Sequence, residues 1–528
     1  MPQNNGLTKQ INALLAAGRA PDAARVIEGL LRKTPKNISL WLMLAEVFAR
    51  GMRRYDLTLK AAQKVIHHAP KDHRGWLEAA QALDQLERHE EARAHVDKAR
   101  KLAPNDPKVI LATALILANL DEIDKALPMM ARLVRKDPTN LHARIQLALL
   151  MQRAGDLDAA DDLAHRIQKD HPDNVVVYSV IGAATPWRAD DPALAYMEHH
   201  LLPDLRAKGH AQLPDLLATL AKARNDLKDY DGSFALWTEA KQREGRRYDA
   251  ARFERFVKGM IAGTSRAPYL GHPGSHDETP VLIVGMPRSG STLLAQILVA
   301  HPQVDSAGES AALAHVRKGL GLTRLDAQAQ IKLIQGMPPD KRKAIAEGYL
   351  AGLRGTGRTT SRIVDKRLHN FEDLGLLAAA LPKARIIHAL RDPMDTCVAC
   401  YMQKLSPNHA YTRDLAGLGE YYNHYRKLLD HWAKVLPNPM ITVRYEDVVA
   451  DAEGQARRIV DFLGLEWDSA CLSFQNSGTQ VKTLSNWQVR QPIYRSSVQR
   501  WRRYEKHVGP LKAALSGFYP DGFENDAL

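Results

Sequence analysis

Prolines recur at Pro35, Pro70, Pro104, Pro138 and Pro172, in steps of 35, 34, 34 and 34 residues. A single globular core imposes no such spacing, whereas a stack of repeated supersecondary units does. Alanines keep the same phase at Ala45, Ala80, Ala114 and Ala148, and a second series falls at Ala92, Ala126 and Ala160. Trp41 and Trp76 stand four residues before the first two alanines. This period accommodates a helix–turn–helix unit. Alanine lets neighbouring helices approach closely, and proline prevents the second helix of one unit from running into the next.

The pattern resembles tetratricopeptide repeats. The resemblance implies an all-α solenoid whose concave surface takes peptides or protein segments. The alternative is a structural or self-associating role, which leaves a homodimer open. The phase blurs after His171. Residues 175–210 are helical in pattern but broken by Pro186 and Pro192, and 211–248 read as another helix pair. Both are expected to be degenerate or capping repeats. Residues 263–280 are rich in Gly, Pro, Ser and His, as a linker is. The expected organisation is a repeat array over 1–250, a helix and linker over 251–279, and a second domain over 280–528.

The second domain opens with PVLIVGMPRSGST, from Pro280 to Thr292. Its short, branched, apolar start suits a buried parallel strand, and an amphipathic helix follows. The loop between them, with Gly285 and Gly290, makes an anion cradle. Free backbone N–H groups and the positive end of the helix dipole converge there. Pro287, Arg288, Ser289, Gly290, Ser291 and Thr292 are the expected cradle residues, Arg288 supplying a planar cation. The glycine spacing matches the nucleotide-triphosphatase loop, but Ser291 stands where that loop has its lysine. The loop is therefore expected to hold a nucleotide phosphate without the usual equipment for splitting a triphosphate. Further apolar runs at 362–366, 384–390 and 440–445 alternate with helices. The reading is an α/β, P-loop-like, doubly wound parallel sheet with ligands at the strand carboxyl ends.

Composition narrows the function. The 528-residue chain is long enough for two or more domains, and its formal charge of +13 suits an anionic ligand. Aromatic residues make up only 6% and no nucleic-acid recognition motif is present, so no nucleic-acid partner is expected. Cys397, Cys400 and Cys471 are too few for a disulfide scaffold and suit a reducing cytosol. Cys397 and Cys400 have the spacing of half a zinc knuckle but lack a second pair, and no metal site is expected. No window reaches the apolar length of a membrane span, and the first twenty residues lack a signal-peptide core. A cytoplasmic protein is the expectation.

The segment GMPRSGSTLLAQILVAHPQVDSAGES resembles sulfotransferases that use 3′-phosphoadenosine-5′-phosphosulfate (PAPS), most closely the tyrosylprotein sulfotransferases. The likeness extends in separated blocks from about Pro280 to Leu511. It implies that Glu309, after Gly308 and a short strand following His301-Pro302, is the base for the acceptor hydroxyl. A carboxylate, with an ordinary pKa of about 4, needs help from its surroundings to do this. His315, His369 and His388 are rival bases, the last expected to be a satisfied core histidine. The resemblance further implies that Lys366 in VDKRLHN, Arg288 and Ser485 in TLSNWQVRQPIYRSS support the transferred charge. Arg391 in LRDPMDTCVACY corresponds to the arginine that grips the 3′-phosphate, Tyr445 to a tyrosine beside the adenine, and Arg500 to a phosphate-facing lysine. The sequence departs from the pattern twice: Ala399 stands where a serine is usual, and Gln403 where a further cation is usual. Lys404 is the nearest basic substitute.

Two functions follow. One is a metal-independent, PAPS-dependent sulfotransferase whose repeats recruit the acceptor, such as a protein or peptide tyrosine. The other is a repeat-based interaction protein with a nucleotide-binding but weakly active transferase domain.

Overall fold

The computed structural model describes residues 3–120, 122–243, 248–269, 274–355, 357–473 and 497–523. The chain divides into two compact units, Met1–Asp170 and His171–Leu528.

The first unit is a helical solenoid of antiparallel pairs, such as His73–Gln85 with His89–Leu102 and Pro107–Asn119 with Ile123–Lys136. Both alanine series are fully buried: Ala45, Ala80, Ala92, Ala114, Ala126 and Ala160 have no exposed surface, and Ala148 almost none. The prolines prove to be part of a compound boundary signal. Each lies two residues before an Asn or Asp that caps the next helix. Asn37, Asp72, Asp106 and Asn140 accept from the amides of Leu40, Arg74, Lys108 and Ala143. A cap of this kind contributes about 1 kcal/mol. Trp41 and Trp76 close the same turns, their Nε1 donating to the carbonyls of Pro35 and Pro70 at 2.8 and 2.9 Å.

The second unit opens with a fifth copy of that boundary. Asn174 caps Val175–Ala184, and the Tyr178 hydroxyl donates to the Pro172 carbonyl at 2.7 Å. The helices Leu213–Asp226 and Tyr230–Arg243 form a further antiparallel pair. They share this unit with the sheet and pack against its C-terminal elements. Phe234 stacks on Tyr401 at 5.3 Å and on His507 at 4.8 Å, and Asn225 accepts the Tyr504 hydroxyl at 2.6 Å. The described part of 263–280 is also packed. Tyr269 is buried, and Arg342 is held by the carbonyls of Pro268, Met337 and Ala379.

The sheet has five parallel strands: β1 (Pro280–Gly285), β2 (Val304–Ser306), β3 (Arg362–Asp365), β4 (Arg385–Leu390) and β5 (Met440–Arg444). Their order is β2-β3-β1-β4-β5. β1 is central and buried along its whole length, as its uninterrupted apolar run requires. It pairs with β3 through Leu282↔Asp365 and with β4 through Gly285↔Ala389. The carboxyl ends of β3, β1 and β4 therefore lie side by side, at the edge where open α/β sheets bind ligands. No helix among the described residues is long and apolar enough to cross a membrane.

Ala114→Leu is expected to cost about 1–3 kcal/mol, because extra carbons have no room between touching helices. The exposed control Ala94→Leu should stay within about 0.5 kcal/mol of the parent. Denaturant unfolding followed by circular dichroism separates the two.

Candidate functional site

The loop after β1 is held in a conformation that few side chains adopt. Arg288 has φ = 67° and Gly290 has φ = 84°, both left-handed. At Gly290 a Cβ would stand 2.6 Å from the Tyr445 ring, so only glycine lets ring and loop meet. Two donors fix the loop carbonyls. Cys400 Sγ donates to the Pro287 carbonyl at 3.1 Å, and Arg391 Nη1 donates to the Arg288 carbonyl at 3.1 Å. In a planar trans peptide the N–H points opposite to the C=O. Tying down these two carbonyls therefore aims the amides of Arg288 and Ser289 the other way, as a cradle for an anion requires. The helix Ser291–Val299 starts at Gly290 with no side-chain cap, which leaves its positive dipole end open. The Ser289 hydroxyl is buried with no hydrogen-bond partner among the described residues. A buried hydroxyl left this way costs about 1–3 kcal/mol. These features fit a phosphate-bearing ligand.

On the β3 side, Glu309 and Lys366 meet. The amide of Ala307 bonds the Val364 carbonyl and the amide of Lys366 bonds the Gly308 carbonyl, each at 2.8 Å. Gly308, at φ = 63°, turns the chain, and Lys366 Nζ donates to Glu309 Oε1 at 2.9 Å. The lysine is buried, whereas the glutamate side chain keeps 57% of its surface exposed. Partial desolvation by the surrounding protein pushes the Glu309 carboxyl up, but the charge and hydrogen bond of Lys366, with Arg367 and His409 behind it, outweigh this. The carboxyl is held below its usual range. This works against its strength as a base while the pair is intact.

On the β4 side stands Arg391, 8% exposed. Its guanidinium also bonds the Ser497 carbonyl, lies 3.4 Å from Asp395 and sits 5.1 Å from the Tyr445 ring centroid. Its Nε has no partner among the described residues. Asp395 in turn accepts the Trp501 amide at 2.9 Å, which brings the backbone beside Arg500 to this corner. The Arg500 guanidinium itself is turned to Asn225, at 3.3 Å. Lys404 is ion-paired with Asp215 on Leu213–Asp226. Ser485 lies outside the described residues.

The rival histidines at β3 and β4 are occupied. His388 Nε2 shares a 2.6 Å hydrogen bond with the Tyr425 hydroxyl, and burial, aided by Arg426, pulls it down to about 3. His369 Nε2 lies 3.1 Å from the Tyr411 hydroxyl and is pulled well below its ordinary value, chiefly by burial. His315 is exposed on the helix Ala312–Gly319. Among the described residues no group of three His, Cys, Asp or Glu could hold a metal ion.

Sequence reasoning missed Lys241. It is 2% exposed, and its Nζ donates to the Gln403 carbonyl at 2.8 Å. The available signal was a lysine on the apolar face that also carries Phe234 and Trp237.

Lys366→Met should raise the Glu309 pKa, because the charge and hydrogen bond that hold it down are gone. A ¹³C carboxyl titration by NMR checks this, and an unmoved value would mean that the pair does not form in solution. Because the folded pKa is depressed, the pair stabilises the fold above the unfolded carboxyl pKa, and the contribution is lost as pH falls through the folded value.

Residues 280–469 match the model of the sulfotransferase family. Residues 51–184 match the N-terminal tetratricopeptide-repeat region of Psidin, and residues 8–57 match a tetratricopeptide repeat. An uncharacterized protein of Aquifex aeolicus is 33% identical over 309 residues, covering 55% of this chain and 40% of that protein. Protein-tyrosine sulfotransferase A of Caenorhabditis elegans is 24% identical over 229 residues, covering 42% of this chain and 60% of that protein. The chain thus spans less than two thirds of the length of either relative. A thermophilic tetratricopeptide-repeat protein of Thermus thermophilus aligns at 20% identity and TM-score 0.31, over 34% of this chain and 97% of that structure. The chain joins N-terminal tetratricopeptide repeats to a C-terminal domain of the sulfotransferase family.

Proposed function

We propose that the C-terminal unit transfers a sulfonate from PAPS to an acceptor hydroxyl, and that the repeats recruit the acceptor, a protein or peptide tyrosine. The observation that carries the reading is the convergence at one sheet edge. There the β1 loop, the Glu309–Lys366 pair and Arg391 come from adjacent strand ends. In this reading the cradle of Pro287, Arg288, Ser289, Gly290, Ser291 and Thr292 takes the 5′-phosphosulfate end. Arg391 takes the 3′-phosphate, Tyr445 flanks the adenine, and Arg500 stands by from the C-terminal segment.

The acceptor oxygen forms a bond to sulfur as the bond from sulfur to the 5′-phosphate oxygen breaks, and that oxygen leaves with the electron pair. Glu309 receives the acceptor proton. Lys366 and Arg288, with Ser485, carry the charge that moves onto the sulfonate and leaving phosphate. Sulfonate oxygens compete with Glu309 for the Lys366 ammonium, and Glu309 gains basicity as Lys366 turns to them. Positioning and charge supply the rate, and no metal is called for. The reading sets the reaction in the cytoplasm, and the free, buried cysteines, which suit a reducing compartment, support it.

The test is transfer of radiolabelled sulfonate from PAPS to tyrosine-containing peptides, with saccharides as competing acceptors. Label should pass to tyrosine without added metal. Glu309→Gln should lower kcat by about 10²–10⁴-fold while leaving product-nucleotide binding within a few fold. Transfer only to saccharides would overturn the acceptor, and nucleotide binding without any transfer would favour the interaction-protein reading that Ala399 supports.

A further inference from the structure

The helix Tyr230–Arg243 belongs to the helical part of the second unit, yet it packs on the segment that follows Arg391. Its contacts leave little freedom. Phe234 stacks on Tyr401, Thr238 Oγ1 accepts from the Tyr401 hydroxyl at 3.1 Å, and Lys241 Nζ donates to the Gln403 carbonyl. Tyr401 ends the helix Pro393–Tyr401, which starts two residues after Arg391 and carries Ala399 and Cys400. Lys241 therefore contacts Gln403, one of the two positions where the sequence departs from the sulfotransferase pattern, four residues past the other, Ala399. The neighbouring Lys404 is already committed to Asp215.

A second observation points the same way. Cys400 touches the cradle through the Pro287 carbonyl. Burial pushes its thiol up to about 12, so it stays neutral, while the charges of Arg288, Lys241 and Arg391 all act on it in the opposite sense. Cys400 thus links the cradle at Pro287, next to the Arg288 carbonyl that Arg391 holds, to the turn three residues on where Lys241 bonds the Gln403 carbonyl. A cation held in a buried setting attracts phosphate charge more strongly than one in open water.

We propose that Lys241 is a nucleotide-binding residue which, with Arg391, grips the 3′-phosphate of the donor and replaces the missing hydroxyl and cation. The inference rests on the PAPS reading above. It makes the helix pair 213–243 part of the transferase site. A substitution in this helical segment then reaches the donor directly.

Calorimetric titration with 3′-phosphoadenosine 5′-phosphate and adenosine 5′-phosphate, on the full chain, tests it. The parent protein should prefer the doubly phosphorylated nucleotide. Lys241→Met should cut that preference about 10- to 100-fold, the loss expected for one hydrogen bond to a charged group. Adenosine 5′-phosphate affinity should hold, and Lys404→Met should change neither. Lys241→Arg should restore most of the preference, and Lys241→Gln, which keeps a donor for the Gln403 carbonyl without the charge, should not. Full preference in Lys241→Met, or rescue by Lys241→Gln, would overturn the assignment while leaving the donor reading standing. No preference in the parent protein would bring down the donor reading and the Lys241 assignment together. Because the readout is a ratio within each variant, a partly unfolded preparation still reports it.

Discussion

One guanidinium ties the second unit together where chemistry is expected. Arg391 leaves the end of β4, bonds the Arg288 carbonyl of the β1 loop and the Ser497 carbonyl of the C-terminal segment, and covers the Tyr445 ring that follows β5. Each contact fixes something a nucleotide site needs. The bond to Arg288 stabilises a left-handed, non-glycine residue, a conformation that persists only where surroundings over-determine it. That residue in turn aims backbone amides outward. The cation over Tyr445 holds the ring against Gly290, where any side chain would collide. Remove the guanidinium, and loop, ring and C-terminal segment lose their common fastening.

The electrostatics of the edge follow from the same arrangement. Arg288, Lys366 and Arg391 come from three separate elements, and two of them are paired with carboxylates. Glu309 pairs with Lys366 and Asp395 with Arg391. In the proposed transfer such a site is poised for exchange, because an incoming sulfonate or phosphate would compete with internal carboxylates for cations already in place. Glu309 illustrates the logic: depressed by Lys366 in the pair, it becomes the stronger base when that ammonium is drawn elsewhere.

How much of this was legible depended on sequence distance. The solenoid was plain, because one packing constraint, an alanine at each helix contact, recurs with every unit. The capping Asn and Asp, always two residues past the proline, were equally visible but went unused. The sheet was legible because buried parallel strands are short, branched and apolar. The loop was legible because its cradle is local to thirteen residues. Glu309 and Lys366 are named by the resemblance alone, and the pairing of β2 with β3 supplies the reason that they meet. Other features could not be read from any window. The Arg500 guanidinium turns to Asn225, Lys404 is taken by Asp215, and Lys241 reaches Gln403 across 162 positions of chain. These contacts follow from the helix pair 213–243 packing on the transferase elements, which periodicity alone assigned to repeats.

A crystal structure of the protein with 3′-phosphoadenosine 5′-phosphate addresses the central claim most directly. The account predicts the 5′-phosphate on the backbone amides of the β1 loop, the 3′-phosphate against Arg391, and the adenine beside Tyr445. A nucleotide bound in the reverse sense, or away from the carboxyl ends of β1 and β4, would contradict it.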